Sequence, residues 1–211
     1  MPNAYQNYHK GNVDFMESKT RENLMRSFAG ESQARNRYTI AASAARKEKL
    51  EVVARVCEFT ADQERAHAKV FYDLLLPSAG KNIAIDGNYP IDLSDKTVDL
   101  LKAAQHNEYQ EFEHDYAAFA EIAHREGFDL IGGQFELIAQ IEKTHGDRFG
   151  LFADLLEQGK LFGEDDRQTV WMCLNCGEIV TSSLAPQTCP VCRHGQDFFI
   201  RLDLAPYTSG N

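Results

Sequence analysis

Glu64-Arg65-Ala66-His67 and Glu142-Lys143-Thr144-His145 decide how this chain folds. In a helix, a spacing of three puts the carboxylate and the imidazole of each motif on one face, one turn apart. Both motifs interrupt apolar stripes. Val53, Val56, Thr60, Phe71 and Leu74 share the face of Glu64 and His67, and Phe135, Ile138, Phe149 and Phe152 share that of Glu142 and His145. Two more helical stripes carry carboxylates where apolar residues belong. One reads Leu24, Phe28, Glu31, Tyr38 and Ala42; the other reads Leu101, Glu108, Glu111, Phe112, Phe119 and Ile122.

Working outward, the periodicity predicts four helices over about 19–47, 50–76, 95–126 and 129–159. Pro77, Ser78 and Gly80 end the second, Gly127 ends the third, and Ser94 or Asp95 is placed to cap the third. Residues 77–94 are long for a helix–helix connection, which suits a crossover between helix pairs. Each pair holds one helix with a lone Glu motif and one with Glu-x-x-His, a faint internal echo. The expected organisation is an all-α, ferritin-like four-helix bundle over 1–158, a linker over 159–168 and a small β-rich domain over 169–211.

An ionised carboxylate on a core face is costly unless it is paired or bound to metal. Glu31, Glu64, Glu108, Glu111 and Glu142 facing one another need cations. A single Glu-x-x-His is ordinarily a solvated helix face, and His106, Glu113 and His114 read that way. Independent surface charges have no reason to fall on all four apolar stripes. Two Glu-x-x-His pairs plus Glu from the other two helices form the di-metal carboxylate pattern of bundles, and carboxylate with imidazole suits iron or manganese. Tyr38 and Tyr116 fall near these positions, either as core tyrosines or as hydrogen-bond donors to ligating carboxylates.

Five cysteines are present, four of them in a C-x2-C-x12-C-x2-C box: Cys173, Cys176, Cys189 and Cys192. Two such knuckles bind one zinc or iron tetrahedrally. Gly177 gives the first knuckle the freedom to turn its amides toward sulfur. The lone Cys57 reads as a small buried hydrophobe. The net charge of −10 argues against non-specific nucleic-acid binding, which needs a basic surface. No apolar run is long enough to span a membrane. Met1 to Lys19 lacks the apolar core of a secretory signal, so a cytoplasmic, reducing setting is expected.

Phe28-Ala29-Gly30-Glu31-Ser32-Gln33-Ala34-Arg35-Asn36-Arg37-Tyr38 resembles the first-helix signature of the rubrerythrins. Glu64-Arg65-Ala66-His67, Glu108-Tyr109-Gln110-Glu111 and Glu142-Lys143-Thr144-His145 are similar to that family's other ligand motifs, in the same order. The cysteine box is similar to its rubredoxin-like tail. The resemblance implies reduction of hydrogen peroxide to water at two irons, with a third iron in the cysteine box as electron relay. It implies that Glu64 and Glu142 bridge the irons, that Glu31 is terminal on one, and that Glu108 and His145 hold the other. Glu111 and His67 would alternate on the first iron, and Tyr38 and Tyr116 match family tyrosines near the site. It also implies a separate electron donor, a rubredoxin or NAD(P)H-dependent reductase, and a head-to-tail homodimer or larger homo-oligomer. No dinucleotide-binding glycine fingerprint is present, so the chain is not expected to bind the nicotinamide itself. Two other classes stay open: an iron-storage ferroxidase, and a non-catalytic scaffold with zinc in the tail.

Overall fold

A computed structural model describes residues 11, 13–163 and 167–206. Among the described residues, five α-helices lead: α1 (Lys19–Lys47), α2 (Glu51–Leu74), α3 (Thr97–Gln110), α4 (Tyr116–Glu126) and α5 (Asp129–Glu157). Three short strands follow: β1 (Thr169–Cys173), β2 (Ile179–Ser182) and β3 (Phe199–Arg201). The architecture is the expected helical bundle with a small β-rich tail. No described helix is long and apolar enough to cross a membrane.

The third bundle helix differs from expectation. It is α3 and α4 joined by a π-helical turn, Glu111–Asp115. A π turn holds one more residue than an α turn and so rotates everything after it. The buried face accordingly passes to Tyr116, Ala120 and Ala123, while Phe112, Phe119 and Ile122 are only half-buried. The expected caps also change. Lys96, not Ser94 or Asp95, is the N-cap of α3, and the Ser94 hydroxyl accepts from the Lys96 amide. The exposed amide end of α3 is held from a distance: Glu48, at the close of α1, accepts from the Thr97 amide at 2.6 Å and from its hydroxyl. The start of α1 is treated alike. Glu126, the last residue of α4, accepts from the amides of Lys19 and Thr20 at 3.0 and 2.9 Å and from the Thr20 hydroxyl. A carboxylate there satisfies orphan amides and opposes the positive end of the helix dipole.

Two apolar clusters bracket the carboxylates. One gathers Ala42, Ala45, Val53, Leu101, Phe149 and Phe152; the other gathers Leu24, Phe71, Tyr116, Phe135 and Ile138. The tail's sheet has order β2-β1-β3, antiparallel throughout. Trp171, Cys173, Cys189 and Phe199 form its own core, and the Trp171 indole donates to the Ser182 carbonyl at 3.1 Å.

The tail docks on the bundle near the α1–α2 turn. Ile200 and Leu161 join the first cluster, and Arg55 on α2 donates to the Leu174 carbonyl at 2.9 Å. Of the expected linker, Gly163 forms a β-bridge with Leu184, and residues 164–166 lie outside those described. So do residues 1–10, 12 and 207–211, the outer parts of the two expected domains.

Candidate metal centres

The bundle motifs converge between the two apolar clusters. Glu31, Glu64, Glu142 and His145 have no exposure, and Glu108 and His67 are buried. His67 Nδ1 stands 3.0 Å from Glu142 Oε1, 3.4 Å from Glu64 Oε2 and 3.6 Å from Glu31 Oε2. His145 Nδ1 stands 2.7 Å from Glu64 Oε1, 2.9 Å from Glu142 Oε2 and 3.7 Å from Glu108 Oε2. Glu64 and Glu142 therefore each turn one oxygen to His67 and the other to His145. The cluster has two poles: Glu31 with His67, and Glu108 with His145. The two imidazoles stack at 5.5 Å between centroids.

These short separations are not hydrogen bonds. Both Glu64 oxygens, both Glu142 oxygens and both His145 nitrogens are buried without a hydrogen-bond partner. A native interior rarely tolerates so many orphaned atoms. Ligand atoms about 2.1 Å from one dication stand roughly 3 Å apart, which is the spacing seen. The electrostatics agree. Burial, then Glu142 and Glu64, push the Glu31 carboxyl well above its ordinary range, and burial with Glu64 beside it brings Glu108 up to about 8. Burial works against a charged His145, but contacts with Glu108, Glu142 and Glu64 outweigh it and raise the imidazole to about 11. Burial alone would raise Glu64, yet its contacts with His145 and His67 hold it below the usual carboxylate range. Ligating carboxylates must be ionised and ligating imidazoles neutral, so metal binding at this cluster is coupled to proton release.

Glu111 lies on the edge of the cluster. It is half-buried, and its carboxylate groups with Glu31 and Glu142 at the His67 pole. Tyr116 donates to Glu31 Oε1 and Tyr38 donates to Glu108 Oε1, one tyrosine for each lone carboxylate. His106, Glu113 and His114 are exposed, as expected of solvated residues. Cys57 is buried on α2, and burial pushes its thiol up to about 12, so it is an inert core residue.

The four cysteine sulfurs lie within 4.8 Å of one another, with Cys173–Cys192 and Cys176–Cys189 each at 3.6 Å. Thiolates about 2.3 Å from one tetrahedral ion stand roughly 3.8 Å apart. The His194 backbone amide is the leading cause of a lowered Cys192 thiol. Gly177 has φ 80°, as the first knuckle requires, and Arg193 has φ 66° at the matching place in the second. The residue after each C-x2-C thus turns left-handed, and at Arg193 this happens without glycine.

Three features escaped sequence reasoning. Arg193 was signalled by its place after the second knuckle. Arg148 donates from α5 to Thr60 Oγ1 and Gln63 Oε1 on α2, both at 2.9 Å, with no signal in the chain. The π turn did leave a trace. Thr20 and Glu31 precede Thr97 and Glu108 by 77 positions, whereas Tyr38, Glu48, Glu64 and His67 precede Tyr116, Glu126, Glu142 and His145 by 78. The added residue falls between Glu108 and Tyr116, where the π turn sits.

Comparison with known proteins agrees with this geometry. The rubrerythrin family model matches residues 22–153, and the model for the rubredoxin-like domain of rubrerythrin matches 171–200. Rubrerythrin of Clostridium perfringens is 42% identical over 183 residues, covering 86% of this chain and 93% of that protein. Rubrerythrin of Porphyromonas gingivalis is 42% identical over 182 residues, covering 86% and 89%. A structure of nigerythrin in its fully reduced, all-ferrous state aligns with a TM-score of 0.59 and 26% identity, over 91% of this chain and 90% of that one. The carboxylate–histidine cluster and the four-cysteine box both fit iron; with two family models in their proper order and relatives matched over most of their length, the chain belongs to the rubrerythrin family.

Proposed function

We propose that this chain is a non-haem di-iron peroxidase that reduces hydrogen peroxide to water. The observation that carries the reading is the buried pair of poles joined by Glu64 and Glu142, each offering one oxygen to either side. That arrangement suits two ions acting on the two oxygens of one small molecule. In this reading Glu64 and Glu142 would each offer one oxygen to either ion, Glu31 would serve the His67 pole, and Glu108 with His145 would serve the other. Glu111 and His67 are alternative ligands of the first pole, a carboxylate suiting a ferric ion and a neutral imidazole a ferrous one. When bound, two ferrous ions supply the two electrons of H2O2 + 2 e− + 2 H+ → 2 H2O.

The chain's own side chains do the rest. Tyr116 and Tyr38 donate to Glu31 and Glu108 and so fix the orientation of those carboxylates. Phe149 packs on Tyr38, and Phe71 and Phe135 pack on Tyr116, so both tyrosines are held in apolar surroundings. Cys173, Cys176, Cys189 and Cys192 would hold a third iron, whose chemistry there would be one-electron redox. Rubredoxin or an NAD(P)H-dependent reductase is the proposed outside donor, and the cytoplasm the proposed setting.

Within one chain the cysteine box docks at Arg55, and the helix from Arg55 to Glu64 rises about 14 Å. A head-to-tail homodimer, in which one protomer's tail approaches its partner's cluster, is the proposed assembly. The domain limits proposed are 1–158, 159–168 and 169–211.

Anaerobic stopped-flow tests the reading. Iron-loaded, fully reduced protein is mixed with one equivalent of peroxide while the visible band of the cysteine-held iron is followed. Fast peroxide consumption with return of the ferric cysteine band is expected. A rate no faster than that of Glu64→Ala overturns it.

A further inference from the structure

Glu111 is the one cluster carboxylate with access to solvent, and what lies in front of it is a cavity of about 250 Å³ that opens at the surface. Glu111 and Tyr116 form its inner end. Gly30 and Arg37 of α1 and Asn107 of α3 form its sides, and Tyr89, from the crossover, lines its outer part. The neck is at Gly30. A Cβ built there would lie 3.7 Å from Tyr89 Cε1 and 4.0 Å from Glu111 Oε1, so the ring and the carboxylate converge over a residue that has no side chain.

The crossover is tied down on both sides of the ring. The Tyr89 hydroxyl donates to the Arg26 carbonyl at 3.0 Å, and Arg26 also bonds Asp86. Farther along, Asn107 donates to Asp92 at 2.8 Å, and the Arg37 guanidinium faces the same carboxylate at 3.5 Å. Arg37 Nη1 is buried without a hydrogen-bond partner beside this space. The cavity is therefore lined by polar and apolar groups together, and its outer part is held in place by a strap rather than by the bundle itself.

We propose that this cavity is the port by which hydroperoxides reach the cluster, and that the Tyr89 ring sets the largest hydroperoxide that passes. The inference rests on the peroxidase reading and deepens it. Hydrogen peroxide, with two heavy atoms, is small beside a cavity of about 250 Å³. A bulky organic hydroperoxide must displace the ring, and so must break the Tyr89–Arg26 bond. Once inside, it follows the same balance: ROOH + 2 e− + 2 H+ → ROH + H2O, with the electrons from the same ferrous pair. Tyr89 is a specificity-determining residue here, not a catalytic one.

The test compares wild type, Tyr89→Ala, Tyr89→Phe and Gly30→Leu in two ways. The first is the ratio of kcat/KM for cumene hydroperoxide to that for hydrogen peroxide. Tyr89→Ala is expected to raise this ratio about tenfold, the scale on which pockets discriminate by size, while Tyr89→Phe, which keeps the ring but loses the bond to Arg26, falls between wild type and Tyr89→Ala. The second needs no turnover: cobalt(II) uptake by the metal-free bundle, with zinc already in the cysteine box, followed by visible d–d absorption. Uptake should be faster in Tyr89→Ala and slower in Gly30→Leu, which plugs the neck. If neither the ratio nor the cobalt rates respond to these substitutions, the port lies elsewhere and the inference is overturned. If wild type consumes no peroxide, the peroxidase reading fails on its own, and the cobalt rates alone then uphold or overturn the port.

Discussion

The helix pair α1–α2 and the chain from α3 to α5 carry the same parts in the same order: a threonine at the helix start, a lone carboxylate, a tyrosine, a closing glutamate and a Glu-x-x-His. The parts are exchanged between the halves. Tyr38 of the first serves Glu108 of the second, and Tyr116 serves Glu31; Glu48 holds the start of α3, and Glu126 the start of α1. The halves differ at one turn. Ala34, three residues after Glu31, is buried and small; Glu111, three after Glu108, begins a π turn and adds a fifth carboxylate. π turns inside α-helices gather at functional sites. Here the wider turn accompanies the most exposed ligand candidate of the bundle. The paired parts hold the cluster, and the unpaired one makes a side from which it can be approached.

Five substitutions, one alone and two in matched pairs, press on this comparison. Glu111→Ala makes the second half like the first. Metal content, measured by elemental analysis, should stay at two ions in the bundle, while peroxide turnover falls by about 10- to 100-fold. Loss of both metals would show that Glu111 belongs with the holding residues after all. Tyr38→Phe and Tyr116→Phe remove matching hydrogen bonds to buried carboxylates. Each should lower metal-loaded stability in denaturant melts by about 1.5–3 kcal/mol, as for bonds to charged groups, and the two values should be close. A large gap between them would mean that the symmetry is one of placement and not of energy. Glu48→Ala and Glu126→Ala test the exchanged caps, with a loss of about 1 kcal/mol each in urea unfolding and no change in metal content. A null effect at one end alone would break the pairing.

Much of the site was legible in the chain because its signals are local. A spacing of three on an apolar stripe puts Glu and His together, whatever the rest of the fold does. The C-x2-C spacing likewise builds a knuckle by itself. Helix α1 has the bounds its periodicity predicts, 19–47. The third helix does not, because one continuous hydrophobic period across the π turn is an error of phase. That error carried Phe112, Phe119 and Ile122 inward and left Ala120 and Ala123 unread. The step from 77 to 78 in the internal repeat marked the turn, but only a reading that paired the halves residue by residue would have seen it.

The sequence by itself determined which side chains can bind metal, on which faces they lie and in what order, because helical periodicity and knuckle spacing are properties of a few neighbouring residues. Tertiary structure decided the rest. That Glu48 satisfies Thr97 and Glu126 satisfies Thr20 depends on helices meeting end to end across the bundle. That Tyr89 lies over Gly30 and Glu111 depends on the path of a crossover with no regular structure. Such contacts join residues far apart in the chain, and their positions follow from packing against the core.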